Sequence, residues 1–344
     1  MNYKTNLRVK MCVPICLLML LVAAFALEAA EGEKEFEHET GFYYTVQKGD
    51  TLWDLSQKFS DSAWLWPEMW RENSQIANPH RIYPGERIRL FRRKGAQKIA
   101  EQKLGQPVLA KPSLDDLIHY NYTALDRVGF IRKTMVAPHG AIFKVQETKE
   151  MIHTGDIVYI RPEGSTQLVP GKRYTTYRAL DPIKDRRTNT YIGIQHLLTG
   201  VVEITQVEPR YAIGTIIESY RPIELEDMLM PYYRRLPNVT IKDSPKGLKG
   251  RIIDAEEHNR LIGHNMIAFM DKGRKDGVHP GQFYNVYYQV EERIHPKGED
   301  KILLLPVNFA EILVIHTENT TATVIVTNAD KEFEPGATLQ SPNM

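Results

Sequence analysis

Between Tyr44 and Leu90 the chain carries strand, helix, helix and strand signals within 47 residues, and no other stretch limits the fold as tightly. Phe42 to Val46 alternates as a strand and breaks at Lys48-Gly49-Asp50. Thr51 followed by Asp54 is a capping-box signal, and Leu52, Leu55 and Phe59 then recur on one helical face. Pro67 marks the start of a second short helix, with Trp66 and Trp70 one turn apart. Pro84-Gly85 turns the chain, and Ile88 and Leu90 alternate in a closing strand.

With Gly49-Asp50-Thr51-Leu52 after the first strand and Asn78-Pro79 to Ile82-Tyr83-Pro84-Gly85 before the second, this stretch closely resembles the LysM module along its whole length. The resemblance implies a βααβ fold that binds N-acetylglucosamine-containing glycans, peptidoglycan in bacteria or chitin in some eukaryotes. It also implies the glycan contacts: Gly49, Asp50, Thr51 and Leu52 from one loop, and Asn78, Pro79, Ile82 and Tyr83 from the other.

The residues themselves suit that chemistry. A neutral sugar offers C–H faces, hydroxyls and an acetamido group, so its binder needs apolar surface and a few fixed polar groups. Gly49 permits close backbone approach, and the Asn78-Pro79 and Pro84-Gly85 corners are stiff. Asp50 has two compatible roles, a cap on the first helix and a ligand contact. All four tryptophans, Trp53, Trp64, Trp66 and Trp70, fall in this module. Small domains lean on large aromatics for their cores, so Trp66 and Trp70 are assigned to packing rather than to sugar stacking.

Upstream, Arg8 and Lys10 precede an apolar run from Met11 to Leu27, and Ala24-Phe25-Ala26 offers a cleavage site, the layout of a secretory signal peptide over residues 1–29. The run also approaches the length of an uncleaved anchor. Cys12 and Cys16 both lie inside it, so a cleaved chain would hold no thiol for disulfides, nucleophilic catalysis or metal binding. Residues 30–41 read as a glutamate-rich spacer, 42–92 as the glycan-binding domain, and 93–135 as a linker with short helices. Forty-four basic against 43 acidic residues leaves no field to attract nucleic acid. The Arg92-Arg93-Lys94 cluster reads as a solvated edge.

From Val136 the period changes to two. Strand signals at 141–145, 156–161, 173–178, 200–207 and 212–219 are followed by a second series at 266–270, 282–290, 302–305, 309–316 and 322–327. Val202-Glu203-Ile204 matches Ala310-Glu311-Ile312 with an offset of 108, and His153-Thr154-Gly155-Asp156 corresponds to His279-Pro280-Gly281-Gln282. The expectation is a duplicated unit, residues 136–231 and 232–344, with Gly155 and Gly281 at equivalent turns. Glu203 and Glu311, each between apolar neighbours, should both point away from the core. Lys275 to Gly281 is also similar to the carboxy-terminal domains of flagellar T-ring proteins. The fold class is α+β, a small βααβ module followed by mostly β tandem units, barrel-like or sandwich-like.

No H-E-x-x-H helix, no i, i+4 histidine pair and no G-x-S-x-G elbow occurs. His258 and His264 stand near Glu256 and Glu257, but no third metal ligand is defined. The expectation is therefore no catalytic residue, no metal and no cofactor. It describes an exported protein of the periplasm or cell envelope that holds peptidoglycan and engages another envelope protein through its β units. The alternative is a cell-wall hydrolase or hydrolase regulator, or an accessory of a flagellar or secretion machine.

Overall fold

A computed structural model describes residues 40–60, 62–90, 118–147, 151–164, 167–295 and 300–342. The expected signal peptide, nearly all of the acidic spacer, the Arg92-Arg93-Lys94 cluster and residues 95–117 of the expected linker lie outside them. Among the described residues no helix is long and apolar enough to cross a membrane.

In the first module β1 (Gly41–Thr45) pairs antiparallel with β2 (Arg87–Arg89), setting Tyr44 opposite Ile88. Between them lie α1 (Leu52–Ser60), a single 3-10 turn at Ala63–Leu65, and α2 (Trp66–Arg71) with Pro67 in its first turn. Leu52, Leu55 and Met69 are buried on the sheet-facing side of these helices. Strand β1 does not alternate in burial, because Phe42, Tyr43 and Tyr44 are all buried. The reason is that β3 (His119–Asn121) pairs on its other edge, and β11 (Asn238–Thr240) pairs on β3. The sheet is four-stranded, β11-β3-β1-β2. Part of the segment expected to be a linker with short helices is thus strand. Residues 125–127 form one 3-10 turn, and β4 (Phe130–Arg132) follows.

The rest is two six-stranded barrels. In barrel 1, β5 (Gly140–Val145), β6 (Ile157–Pro162), β7 (Arg173–Lys184), β8 (Tyr191–Val207), β9 (Ala212–Ser219) and β10 (Met228–Pro231) close in the cyclic order β5-β6-β9-β8-β7-β10. In barrel 2, β12 (Lys249–Ala255), β13 (Ile267–Met270), β14 (Phe283–Tyr288), β17 (Val307–Thr317), β18 (Ala322–Ala329) and β19 (Thr338–Gln340) close as β12-β13-β18-β17-β14-β19. Between β14 and β17 a separate arm is formed by β15 (Glu291–Arg293) and β16 (Lys301–Leu303).

The two orders are the same, and the registers coincide when every number is shifted by 110. Tyr174 faces Val202 as Tyr284 faces Ile312, and Val202 faces Ile216 as Ile312 faces Val326. Even the bulges recur, between Ile142 and Lys144 and again between Ile252 and Asp254. The two barrels share one strand order and register, with an offset of 110 rather than 108. Gly281 therefore corresponds to Gly171: each donates its N–H to the matching strand, at Val314 O (2.8 Å) and Ile204 O (2.7 Å). The counterpart of Gly155 (φ +92°) is Asn265 (φ +63°), since both amides reach the matching carbonyls Ile216 O and Val326 O. Both positions need the left-handed conformation, which glycine adopts freely and asparagine tolerates. Short motifs such as V-E-I recur by β patterning alone and do not mark equivalent positions.

The two glutamates are not equivalents, and the expectation of exposure holds for Glu203 but fails for Glu311. Glu203 corresponds to Leu313, and Glu311 to Val201. Glu203 is partly exposed and pairs with Arg173 at 3.2 Å, whereas Glu311 is buried. The outer face carrying Leu313 differs between the barrels for a packing reason. On barrel 2, Ile267, Phe283, Leu313, Ile315 and Ile325 join the core of the first module, with Phe42 stacked 5.9 Å from Phe283. On barrel 1 the same face carries Arg173, Glu203, Thr205 and Thr215, with exposed Ile157 as the counterpart of Ile267. The covered face is apolar throughout, and the face that meets water is mostly polar.

Candidate functional site

Because β1 and β2 are antiparallel, the loop leaving β1 and the loop entering β2 emerge at the same end of the sheet. They are tied there: Val46 N–H donates to Glu86 O at 2.8 Å, and Gly85 N–H to Val46 O at 2.9 Å. The two loops singled out from sequence are thus adjacent, although some 30 residues separate them.

In the first loop, Gly49 takes φ +98° with open space around it. Gln47 N–H donates to Asp50 Oδ2 at 2.7 Å, so the Asp50 carboxylate closes the turn. The helix cap is Thr51: its Oγ accepts from Asp54 N–H at 3.1 Å and donates to Asp54 Oδ2 at 2.7 Å. Thr51 also supplies the carbonyl for Leu55 N–H at 2.9 Å. The capping role weighed for Asp50 belongs to its neighbour. The Leu52 side chain is buried in the core and presents no surface, leaving only its backbone near the loop.

In the second loop Asn78 organises a tight bend. Its Oδ1 accepts from His80 N–H at 3.0 Å and its carbonyl from Arg81 N–H at 2.9 Å. Pro79 is half-buried, and Ile82 packs partly against the core. Tyr83 is exposed, while its N–H donates to Glu86 Oε2 at 2.9 Å. The wall beside this loop is aromatic. Trp66 stacks on Trp70 at 6.5 Å and meets the His80 ring at 5.9 Å, and Trp70 Nε1 donates to Ile76 O at 2.7 Å. Both tryptophans are partly buried against the core, as their spacing implied.

Two features escaped the sequence reading. Trp53 and Trp64 form an exposed edge-to-face pair at 4.8 Å, with Trp64 78% exposed. Trp53 lies off the Leu52, Leu55, Phe59 stripe, and that was the available signal. The other is buried Asn73, whose side chain replaces a strand. It donates to Met69 O (2.7 Å) and Arg89 O (2.9 Å), and accepts from Arg89 N–H (2.7 Å). It pins α2 to β2, and no local pattern announces it.

Comparison with known proteins agrees with this module. The family model described as LysM domain matches residues 44–91, the span from β1 through the end of β2. LysM domains bind peptidoglycan-type glycans and are binding modules rather than catalytic ones. The chain is also 39% identical over 57 residues to an uncharacterized Bacillus subtilis (strain 168) protein, YqbP. That likeness covers 14% of this chain and 26% of the relative, so it speaks for the module alone. The similarity of residues 275–281 to flagellar T-ring domains finds no support in these comparisons.

Proposed function

We propose that this protein is a non-catalytic, exported anchor of the bacterial cell envelope. Its LysM domain holds N-acetylglucosamine-containing glycan between the loops Gly49-Asp50-Thr51-Leu52 and Asn78-Pro79 to Ile82-Tyr83, while the barrels engage another component of the envelope. The observation that carries this reading is the convergence of both loops at one end of the β1–β2 pair. There an open glycine backbone, the Asn78 bend, half-buried Ile82 and exposed Tyr83 supply the apolar surface and fixed polar groups a neutral sugar needs. Export rests on the apolar run from Met11 to Leu27 behind Arg8 and Lys10.

The test is co-sedimentation of residues 40–344 with insoluble peptidoglycan across a range of salt. Binding through the groove should persist as salt rises, because a neutral sugar gains little from screened charge. Binding abolished by moderate salt, or left intact by Ile82→Ala and Gly49→Val together, would place the contact elsewhere. Release of soluble muropeptides by the purified protein would favour the hydrolase alternative.

A further inference from the structure

The exposed tryptophan pair of the LysM module is held in place by the module's own hydrogen bonds. Trp53 stands in the first turn of α1, and Trp64 in the 3-10 turn that follows the helix. Two bonds fix that turn against α1: buried Ser56 donates its Oγ–H to Ser62 O at 2.8 Å, and Gln57 Oε1 accepts from Ala63 N–H at 3.1 Å. Ala63 is buried, while the next residue, Trp64, meets water at 78% exposure. The two rings touch edge to face at 4.8 Å, and Trp53 is 41% exposed. Neither ring belongs to the core beneath, which Leu52, Leu55 and Met69 fill. Two large rings held together in water carry a hydration cost that a bound apolar surface would relieve.

The pair adjoins both loops of the groove. Trp53 directly follows Leu52, the last residue of the first loop, at the end of α1 that Thr51 caps. Trp64 lies two residues before Trp66, whose ring meets the His80 ring of the second loop at 5.9 Å. Exposed Gln57 stands one turn beyond Trp53 on the same face of α1. The extent of this patch fits a sugar better than a protein. A stable protein interface takes about 800 Å² from each partner. Two rings instead match the C–H faces of single sugar units, whose hydroxyls stay with polar neighbours and water.

We propose that Trp53 and Trp64 form a second sugar subsite, on which a glycan chain leaving the groove stacks its next units. This rests on the groove reading given above and deepens it. The groove fixes a few sugars through its loops, and the tryptophan pair adds affinity only for chains long enough to reach it. The module then selects extended glycan over short fragments, as a wall anchor must if it is to stay on intact polymer. The occupant is glycan because the pair is continuous in the chain with a glycan-binding loop and belongs to a module of that chemistry.

The experiment titrates residues 40–344, which form one compact unit, with N-acetylglucosamine oligomers of two and six sugars in a calorimeter. The wild type should bind the six-sugar chain more tightly than the two-sugar one. Trp64→Ala should weaken the six-sugar complex about tenfold and leave the two-sugar affinity unchanged, while Trp64→Phe, which keeps a ring, should retain most of the binding. Trp64 is exposed, so both variants should keep the wild-type melting temperature. Ile82→Ala, in the groove, should weaken both oligomers. If Ile82→Ala weakens binding but the double variant Trp53→Ala, Trp64→Ala does not, the groove stands and the second subsite is overturned. If Trp64→Ala weakens both oligomers equally, the pair is part of the primary site and the proposal also falls. If the tryptophan variants lose binding and Ile82→Ala does not, the groove reading itself fails, and its extension with it. Light scattering on the same samples reads the other occupant: self-association lost in Trp64→Ala at unchanged sugar affinity would assign the pair to a second copy and overturn the proposal.

Discussion

At the scale of single residues the repeat supplies its own controls. Gly171 and Gly281 hold the same turn, both with positive φ, yet their surroundings differ. A Cβ on Gly171 meets nothing within 4 Å, whereas one on Gly281 would sit 1.9 Å from Thr240 O, because β11 passes there on its way to the LysM sheet. Gly171→Ala should cost about 1 kcal/mol, the strain of the turn alone. Gly281→Ala should cost about 3 kcal/mol or more, because the backbone of residues 240–242 must move. Chemical denaturation of the two variants reads the difference directly, and equal losses would show that the Thr240 backbone does not constrain Gly281. In the groove, Gly49 is also in open space at φ +98°, so Gly49→Val should lower stability by about 1 kcal/mol and weaken glycan binding as well. Ile82→Ala, only partly buried, should weaken glycan binding more than it lowers the melting temperature.

Among the elements, the LysM sheet does not end where its sequence signature ends. β3 and β11, from either side of barrel 1, complete it, and Phe42, Tyr120, Val239 and Phe283 close one core with it. A fragment of residues 40–94 would expose the β1 edge and the Phe42 face. It should therefore melt well below residues 40–344, and differential scanning calorimetry of the two decides the point. Within the module, Asn73→Ala should remove four hydrogen bonds, one of them from Gln75 Nε2, and take from the Arg89 amide its Asn73 acceptor, at a cost of about 2–3 kcal/mol. Its effect should appear as loss of α2 docking, read by hydrogen exchange at the Arg89 amide.

Over the whole molecule, the barrels and the module meet around a partly buried polar seam. Arg235 N–H and its guanidinium hold Asp126 and the carbonyls of Leu125 and Val128, Arg132 pairs with Glu318 at 2.9 Å, and His316 donates to Glu318 at 3.0 Å. Burial opposes ionisation of Glu318, but hydrogen bonds from His316 and Arg132 outweigh it and hold its carboxyl at about 2. His196 lies deeper: burial, aided by the Arg132 charge, pushes its imidazole down to about 4. Its Nε2 accepts from Val136 N–H at 3.0 Å and its Nδ1 faces Ile194 O at 3.1 Å, which suits the neutral ring. A depressed folded value means that the unfolded chain takes up the proton first. The His196 contribution is therefore complete above pH 6.5 and is lost as pH falls toward 4, about 3 kcal/mol in all. The Glu318 contribution disappears further down, between the ordinary carboxylate range and pH 2. Urea unfolding at stepped pH should show the first decline between 6.5 and 4. An NMR titration placing the folded His196 imidazole near its ordinary value would refute this account.

The sequence alone was enough for the LysM module, because its signals are local: a cap, a helical stripe, two corners and a pair of short strands all lie within one stretch. It was enough, too, to place two successive series of strands, since strand spacing survives in the pattern of turns. It could not decide the register, because a period of two makes neighbouring alignments nearly equivalent, and only the ladder of strand pairs separated 110 from 108 and Glu203 from Glu311. Nor could it reveal that β3 and β11 finish the LysM sheet, or that one barrel face is apolar to receive it, because those pairings join residues far apart in the chain. Local chemistry chose the elements; long-range burial chose their neighbours.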